Sequence, residues 1–350
     1  MRIGIITFHW ATNYGAVLQS YALCRYLTAL GNDVQLIDYY PQKYKKTIPA
    51  SFMTKHLRLI PGRLKEISKE KQIEKFREKY LKRTEYFSSR KKLAALDFDC
   101  YICGSDQIWN ESFIQHAERG LTYAYFLDFA KKDKILASYA ASFGTERYNE
   151  MLKPYVKRHL QRLDFISVRE NTGLDILADM GIEDACIVPD PTLLLTKEDY
   201  EKLLVKNKNE NKYNFIYMLH GRLSDAEQIA KSLDTAENII CDNIGIEEWL
   251  TNIYYAEHIV TNSFHGTVFS ILFEKPFTVV LINKSGMNDR LITLLSRLGL
   301  ENRISTDNSK AIDEPIDWKI VREKLDAFRK KGYNYLAQII NYEKSIENEN

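Results

Sequence analysis

Residues 2–39 read RIGIITFHWATNYGAVLQSYALCRYLTALGNDVQLIDY. Arg2 to Phe8 is a short, β-rich apolar run, the pattern of a buried strand. Asn13, Tyr14 and Gly15 punctuate the chain. From Ala16 to Leu30 apolar residues recur at helical spacing (Val17, Leu18, Tyr21, Ala22, Leu27, Leu30), and Gly31 follows as a helix stop. Val34 to Tyr39 predicts a second strand, ended by Pro41. Strand, helix and strand in this order form a βαβ unit, and a parallel α/β sheet is its natural setting.

The same rhythm runs through the rest of the chain. Cys100–Cys103, Ile135–Phe143, Phe165–Arg169 and Cys186–Val188 read as strands, with a helix at Asn171–Met180. Pro189-Asp190-Pro191 breaks the chain, and a polar stretch richest at Lys206–Lys212 follows. Beyond it, strands are expected at Phe215–Leu219, Ile239–Cys241, Ile259–Thr261 and Phe277–Ile282. Helices are expected from a Ser224 cap to about Leu233, and at Ile246–Glu257, Gly266–Phe273 and Asn288–Leu298. The expected fold class is therefore α/β, with two Rossmann-like domains facing a cleft. Their spans are 1–192, with a basic helical insertion at 55–92, and 193–307; residues 308–350 form a closing helix (Asp317 to Tyr335) and a frayed acidic tail.

Composition narrows the function classes. The 350 residues are 45% hydrophobic and 27% charged, which excludes disorder, collagen-like repeats and coiled coil as the main architecture. A net charge of +2 argues against a nucleic-acid binder. Five cysteines (Cys24, Cys100, Cys103, Cys186, Cys241) make no disulfide framework. Cys100 and Cys103 sit three apart on a strand and point to opposite faces, so they read as core rather than as a redox or zinc pair. The histidines show no metal-ligand spacing. No signal-peptide pattern opens the chain and no apolar run approaches the ~20 residues of a membrane span, so a cytoplasmic location is expected. The insertion 55–92 holds 14 Lys/Arg against five Glu. It reads either as a solvated helix, with Glu66, Glu70, Glu74 and Glu78 beside Lys71, Lys75 and Lys79 at i+3 pairing distance, or as a peripheral contact for anionic lipid at the inner face of the membrane.

Candidate chemistry collects at strand ends, the edge where open α/β sheets bind ligands. Asn13-Tyr14-Gly15 opens a helix after the first strand, where free amides favour an anion; the plain alternative is an Asn cap. In Gly104-Ser105-Asp106-Gln107-Ile108-Trp109-Asn110, Asp106 is placed to take a proton from a sugar hydroxyl, with Ser105, Gln107 and Trp109 as acceptor contacts; the alternative is an Asx turn and a buried Trp. Arg169, next to Glu170, is suited to a phosphate or carboxylate, or to a strand-end ion pair. His265, in Thr261-Asn262-Ser263-Phe264-His265-Gly266-Thr267, opens a helix among polar residues and suits acid or base chemistry near neutral pH. Lys284 and Arg290 follow the next strand, so they share that edge and are placed to build a cationic pocket for a small dianion with Arg169; the plain alternative is a pair of solvated loop cations.

Together these segments resemble the polysaccharide pyruvyl transferase family. The resemblance is carried by GIITFHWATNYGAVLQSYAL (4–23), CGSDQIWN (103–110), ISVRE (166–170), VPDPTLL (188–194) and TNSFHGTVFSILFEKPF (261–277), and runs from Arg2 to about Arg303. It implies a fold like the GT-B glycosyltransferases. It also implies transfer of a pyruvyl group from phosphoenolpyruvate to two hydroxyls of a nucleotide- or lipid-linked sugar in surface-polysaccharide assembly, with no metal or redox cofactor. The family's functional His corresponds to His265, its strand-end Arg to Arg169, and a later Arg to Arg290. Many members carry Arg two residues before the His, where this chain has Ser263. Either Arg169, Lys284 or Arg290 then supplies that charge, or the donor differs. The alternatives are a GT-B-like glycosyltransferase using a nucleotide sugar and a non-catalytic sugar-binding protein of polysaccharide assembly.

Overall fold

Ile3, Ile5 and Ile6 are fully buried, so the first strand, β1 (Arg2–Ile6), is covered on both faces, as parallel strands between helical layers are. The computed structural model describes residues 1–40, 60–116, 121–219, 221–234, 237–282, 285–306 and 310–344. β1 pairs in parallel with β2 (Asp33–Leu36) on one side and β3 (Cys100–Cys103) on the other, and β3 pairs with β4 (Ile135–Ser138). The strand order is β2-β1-β3-β4. Single bridges, Ala137 to Phe165 and Ala141 to Val168, continue this sheet into the parallel pair β5 (Ile166–Val168) and β6 (Ala185–Ile187).

The second half repeats the plan. β7 (Tyr213–Tyr217) lies between β8 (Glu237–Ile240) and β9 (His258–Thr261), with β10 (Phe277–Val279) beyond β9, all parallel. Each sheet thus has its first strand flanked by its second and third. That reversal of direction opens a crevice at the carboxyl ends of β1 and β3, and again at β7 and β9. The architecture is α/β with two parallel sheets, as the βαβ rhythm predicts.

Local differences from expectation have simple causes. The helix Leu223–Lys231 is not capped by Ser224; Arg222, with φ of 61°, leads into it. The closing helix extends over Trp318–Ile340 because its later turns dock back on earlier chain: Arg329 donates to the Leu193 and Leu195 carbonyls at the domain boundary and Tyr335 to that of Ser138 in the first domain. Cys100 and Cys103 are both buried, and burial pushes both thiols up.

The insertion is where the structure departs most from the sequence pattern. Residues 55–59 lie outside the described residues; the helix Ile60–Tyr80 follows. Glu70 and Glu74 do not pair with the neighbouring lysines. They turn inward to the buried Arg77, whose Nη1 donates to both at 2.6 and 2.7 Å, and Glu74 also accepts from Arg83 at 2.6 Å. Arg77 further donates from Nε to the His9 carbonyl (2.7 Å) and from Nη2 to the Ala11 carbonyl (2.9 Å). Ile73 and Phe76 are buried beside it, and Phe76 meets Tyr21 edge-on. The helix also reaches the second half: Lys65 pairs with Asp242 at 2.8 Å, and Gln72 donates to the Asn243 carbonyl at 2.9 Å. Lys71, Lys75 and Lys79 remain exposed.

Arg77 is thus a buried cation with every donor group engaged, and removing it strands its acceptors. Arg77→Ala should cost roughly 3 kcal/mol or more in urea unfolding, while Lys75→Ala stays within about 0.5 kcal/mol. Equal effects would mean that this ion network does not hold the helix in place.

Candidate functional site

Arg169 immediately follows β5, and its guanidinium is buried at the carboxyl edge of the first sheet. Nη1 donates to Asp190 Oδ2 at 2.7 Å and to Ser105 Oγ at 3.3 Å. Nη2 stands 4.0 Å from Asp106 Oδ1 and Nε stands 3.8 Å from Glu170 Oε2, but neither nitrogen makes a hydrogen bond. A buried guanidinium with two idle nitrogens is costly unless something else accepts from it.

Asp190 follows β6 and has no exposed side-chain surface. Oδ1 accepts from the Thr192 amide (3.0 Å) and hydroxyl (2.6 Å); Oδ2 accepts from Ser105 Oγ (3.1 Å) as well as from Arg169. His265 Nε2 stands 3.5 Å from the same Oδ2. Burial alone pushes the Asp190 carboxyl up, but His265 and Arg169 outweigh it and hold the group well below the usual carboxylate range.

His265 comes from the other sheet. It is the second residue of the helix Phe264–Leu272, which follows β9. Ser263 caps that helix, its Oγ accepting from the Gly266 amide at 3.2 Å. The imidazole lies against Gly15, the second residue of the helix Tyr14–Ala29: a Cβ at Gly15 would stand 1.9 Å from His265 Nδ1. Glycine is required there, and two helix N-termini converge on the ring. Such ends carry partial positive charge and amides without intrahelical partners.

Arg290 opens the helix Asp289–Leu298 and completes the cluster. With its amide oxygen turned toward Arg290, Gln107 accepts from Nη1 at 3.0 Å and Nη2 at 3.2 Å. The Phe264 ring is near both guanidiniums, its centroid 4.7 Å from Arg169 Cζ and 6.0 Å from Arg290 Cζ. Burial and the repulsion of Arg169 push Arg290 down to about 10. Glu170 is buried with both oxygens lacking a hydrogen bond, and burial raises its pKa. Asp106 sits at φ 78°, in the left-handed region, and its Oδ1 accepts from the Gln107 amide at 2.8 Å. Strain of that kind at a sheet edge is a mark of functional sites.

The structure therefore brings together Gly15, Asp106, Gln107, Arg169, His265 and Arg290, with Ser263 as the cap behind His265. Two expected contacts are corrected. Trp109 is fully buried, donates to the Tyr125 carbonyl (3.1 Å) and stacks on Phe126, so it is core and cannot touch an acceptor. Ser105 is also buried and serves the Arg169–Asp190 pair instead. Tyr14 opens its helix as the sequence places it, with its side chain buried against Trp249 and donating to the Ile244 carbonyl (2.8 Å). Asn13 is the helix cap, accepting from the Ala16 amide at 3.1 Å. Lys284 lies outside the described residues. Asp190 is a site residue that the sequence pattern hides: Pro-Asp-Pro reads as a chain break. The signal was its place three residues after a strand, on the same edge as Asp106 and Arg169. Among the described residues no group of three metal-ligating side chains forms.

A sequence model of polysaccharide pyruvyl transferases matches residues 13–284, most of the chain and all of the residues just described except Arg290. The chain belongs to the polysaccharide pyruvyl transferase family. Comparison with curated proteins yields no match. Among solved structures, the chain is similar to UDP-GlcNAc 2-epimerase from Methanocaldococcus jannaschii in complex with UDP-GlcNAc and UDP (13% identity, 98% of this chain and 100% of that one, TM-score 0.47). It is also similar to UDP-GlcNAc 2-epimerase from Neisseria meningitidis bound to UDP-GlcNAc (9%, 98% and 95%, TM-score 0.45). A third is a spinosyn rhamnosyltransferase complexed with thymidine diphosphate (12%, 97% and 96%, TM-score 0.39). Identities this low say nothing of the chemistry of this family member.

Glu170 gives a test of the site's electrostatics. Its folded-state pKa lies above the unfolded value of about 4.3, so the folded state binds the proton more tightly. Stability from this group is then present at low pH and lost as pH rises through the folded pKa. Glu170→Gln removes that loss, so its gain in Tm over wild type should be larger at pH 8 than at pH 5. A gain independent of pH would show that Glu170 is not held protonated by burial.

Proposed function

We propose that this protein transfers a pyruvyl group from phosphoenolpyruvate to a sugar of a surface-polysaccharide precursor, forming a ketal and releasing phosphate. The observation that carries the reading is the meeting of Arg169, Arg290 and His265 where two helix N-termini converge. Two cations and two positive helix ends suit a small ligand bearing both a phosphate and a carboxylate. Arg169 offers its idle Nε and Nη2 and Arg290 its idle Nε. The acceptor is a sugar on a nucleotide or lipid carrier.

In this reading His265 gives a proton to the methylene carbon of phosphoenolpyruvate, which becomes the methyl group. The central carbon then accepts the oxygen of a first sugar hydroxyl, and Asp106 takes that hydroxyl's proton. A second hydroxyl of the same sugar displaces phosphate from the central carbon and closes the ketal. Two hydroxyl protons are released; one restores His265 and the other leaves on the phosphate. The protein's own groups supply acid, base and charge, and the reaction requires neither oxidant nor reductant.

Thermal-shift titration tests the donor. Phosphoenolpyruvate should raise the apparent stability, by about 2.7 kcal/mol at a hundred-fold excess over Kd. Arg290→Ala should lose most of that shift. His265→Ala should keep the shift but lose about 10²–10⁴ in turnover. Shifts with UDP-sugars and none with phosphoenolpyruvate would replace this reading with a glycosyltransferase.

We extend the proposal to a peripheral contact with anionic lipid. Arg77 and Arg83 draw Glu70 and Glu74 inward, which leaves Lys71, Lys75 and Lys79 facing solvent. No helix among the described residues is long and apolar enough to cross a membrane. Charge reversal at the three lysines should release the protein from phosphatidylglycerol vesicles at low salt. Unchanged sedimentation would remove the contact.

A further inference from the structure

His265 has two ring nitrogens in different surroundings. Nε2 is buried, makes no geometrically satisfied hydrogen bond, and faces Asp190 Oδ2 at 3.5 Å. Nδ1 abuts the first turn of the helix Tyr14–Ala29, where even a methyl group on Gly15 would collide with it. Asp190 accepts from four donors: the Thr192 amide and hydroxyl, Ser105 Oγ and Arg169 Nη1. It has nothing to donate, because its carboxyl is held ionised. A nitrogen beside such an oxygen is favoured when it carries hydrogen. The opposite nitrogen, at the amide-rich end of a helix, is favoured when its lone pair is free.

We propose that Asp190 is the positioning residue for His265: it holds the proton on Nε2 and makes Nδ1 the nitrogen that exchanges a proton with the ligand. Asp190 touches no ligand atom in this arrangement; it acts by orienting the imidazole. When the ring is doubly protonated, the Nδ1 proton is the one delivered, and the neutral Nε2–H form remains. Gly15 belongs to the same device, because a side chain there fills the space in front of Nδ1. The inference rests on the pyruvyl-transfer reading only for the identity of the proton acceptor.

Long-range ¹⁵N–¹H correlation spectra of the full chain, labelled at histidine, read the tautomer without any substrate. His265→Gln assigns the signals, and pH is raised until the neutral ring is seen. The expected result is the Nε2–H tautomer in the wild type. An Nδ1–H ring would overturn the proposal. In Asp190→Asn, compared once circular dichroism shows a wild-type fold, the preference should weaken or reverse, and kcat should fall by about 10²–10⁴. Donor KM should hold or decrease, because a negative charge has left the pocket. An Asn variant with wild-type tautomer and kcat would equally overturn the proposal. If Asn does not fold, the wild-type spectrum alone decides. A wild type that shows the Nε2–H ring but neither binds nor turns over phosphoenolpyruvate would sink the donor assignment and leave the positioning role standing.

Discussion

One buried carboxylate ties the site together. Asp190 receives Arg169 from the end of β5, Ser105 from the end of β3, Thr192 from its own turn, and faces His265 from the second sheet. A fully buried charge is tolerable only when its lone pairs are occupied, and here each oxygen takes at least two donors. The anchoring works in both directions. Arg169 is desolvated too, and loss of its partner would leave an uncompensated guanidinium. The carboxylate therefore fixes the direction of the guanidinium and leaves Nε and Nη2 for something else to occupy.

The charges around this pair are unequal in kind. Asp190 is held ionised, Glu170 is pushed toward its neutral form by burial, and Arg290 is weakened to about 10 by burial and by Arg169. Two buried guanidiniums that repel each other, both near the Phe264 ring, are a poor arrangement for stability and one that an anion would relieve. Ser263 fits this division of labour. As a helix cap it orders the turn that carries His265, and the nearby cationic charge comes from Arg169 and Arg290.

The fold was legible because burial on both faces of each strand leaves short apolar runs, and crossovers leave helical periodicity between them. The site was legible in part for a related reason: Asp106, Arg169 and His265 each stand within four residues of a strand's carboxyl end, where an open α/β sheet exposes its ligand edge. What failed needed three-dimensional knowledge. Ser105 and Trp109 neighbour Asp106 in sequence, yet alternate geometry turns one into a polar network and the other into the core. Asp190 hid behind two prolines. Arg77 is one cation among many in a polar helix, and no local pattern distinguishes the one that enters the interior.

Arg77 also shows why the insertion matters to a site it does not enter. Its guanidinium binds the carbonyls of His9 and Ala11, the loop between β1 and Asn13-Tyr14-Gly15. The same helix grips Asp242 and Asn243 of the second half, one turn of chain from Ile244, which receives the Tyr14 hydroxyl. Tyr14 in turn stacks on Trp249 with ring centroids 5.2 Å apart. Together these contacts tie the loop before Gly15, through the insertion and through Tyr14, to the half of the chain that carries His265. A Cα-to-imidazole approach with no room for a methyl group depends on how the two sheets are held against each other. The insertion, far from being a loose charged appendage, contributes to that hold, as does the returning helix Trp318–Ile340 through Arg329 and Tyr335.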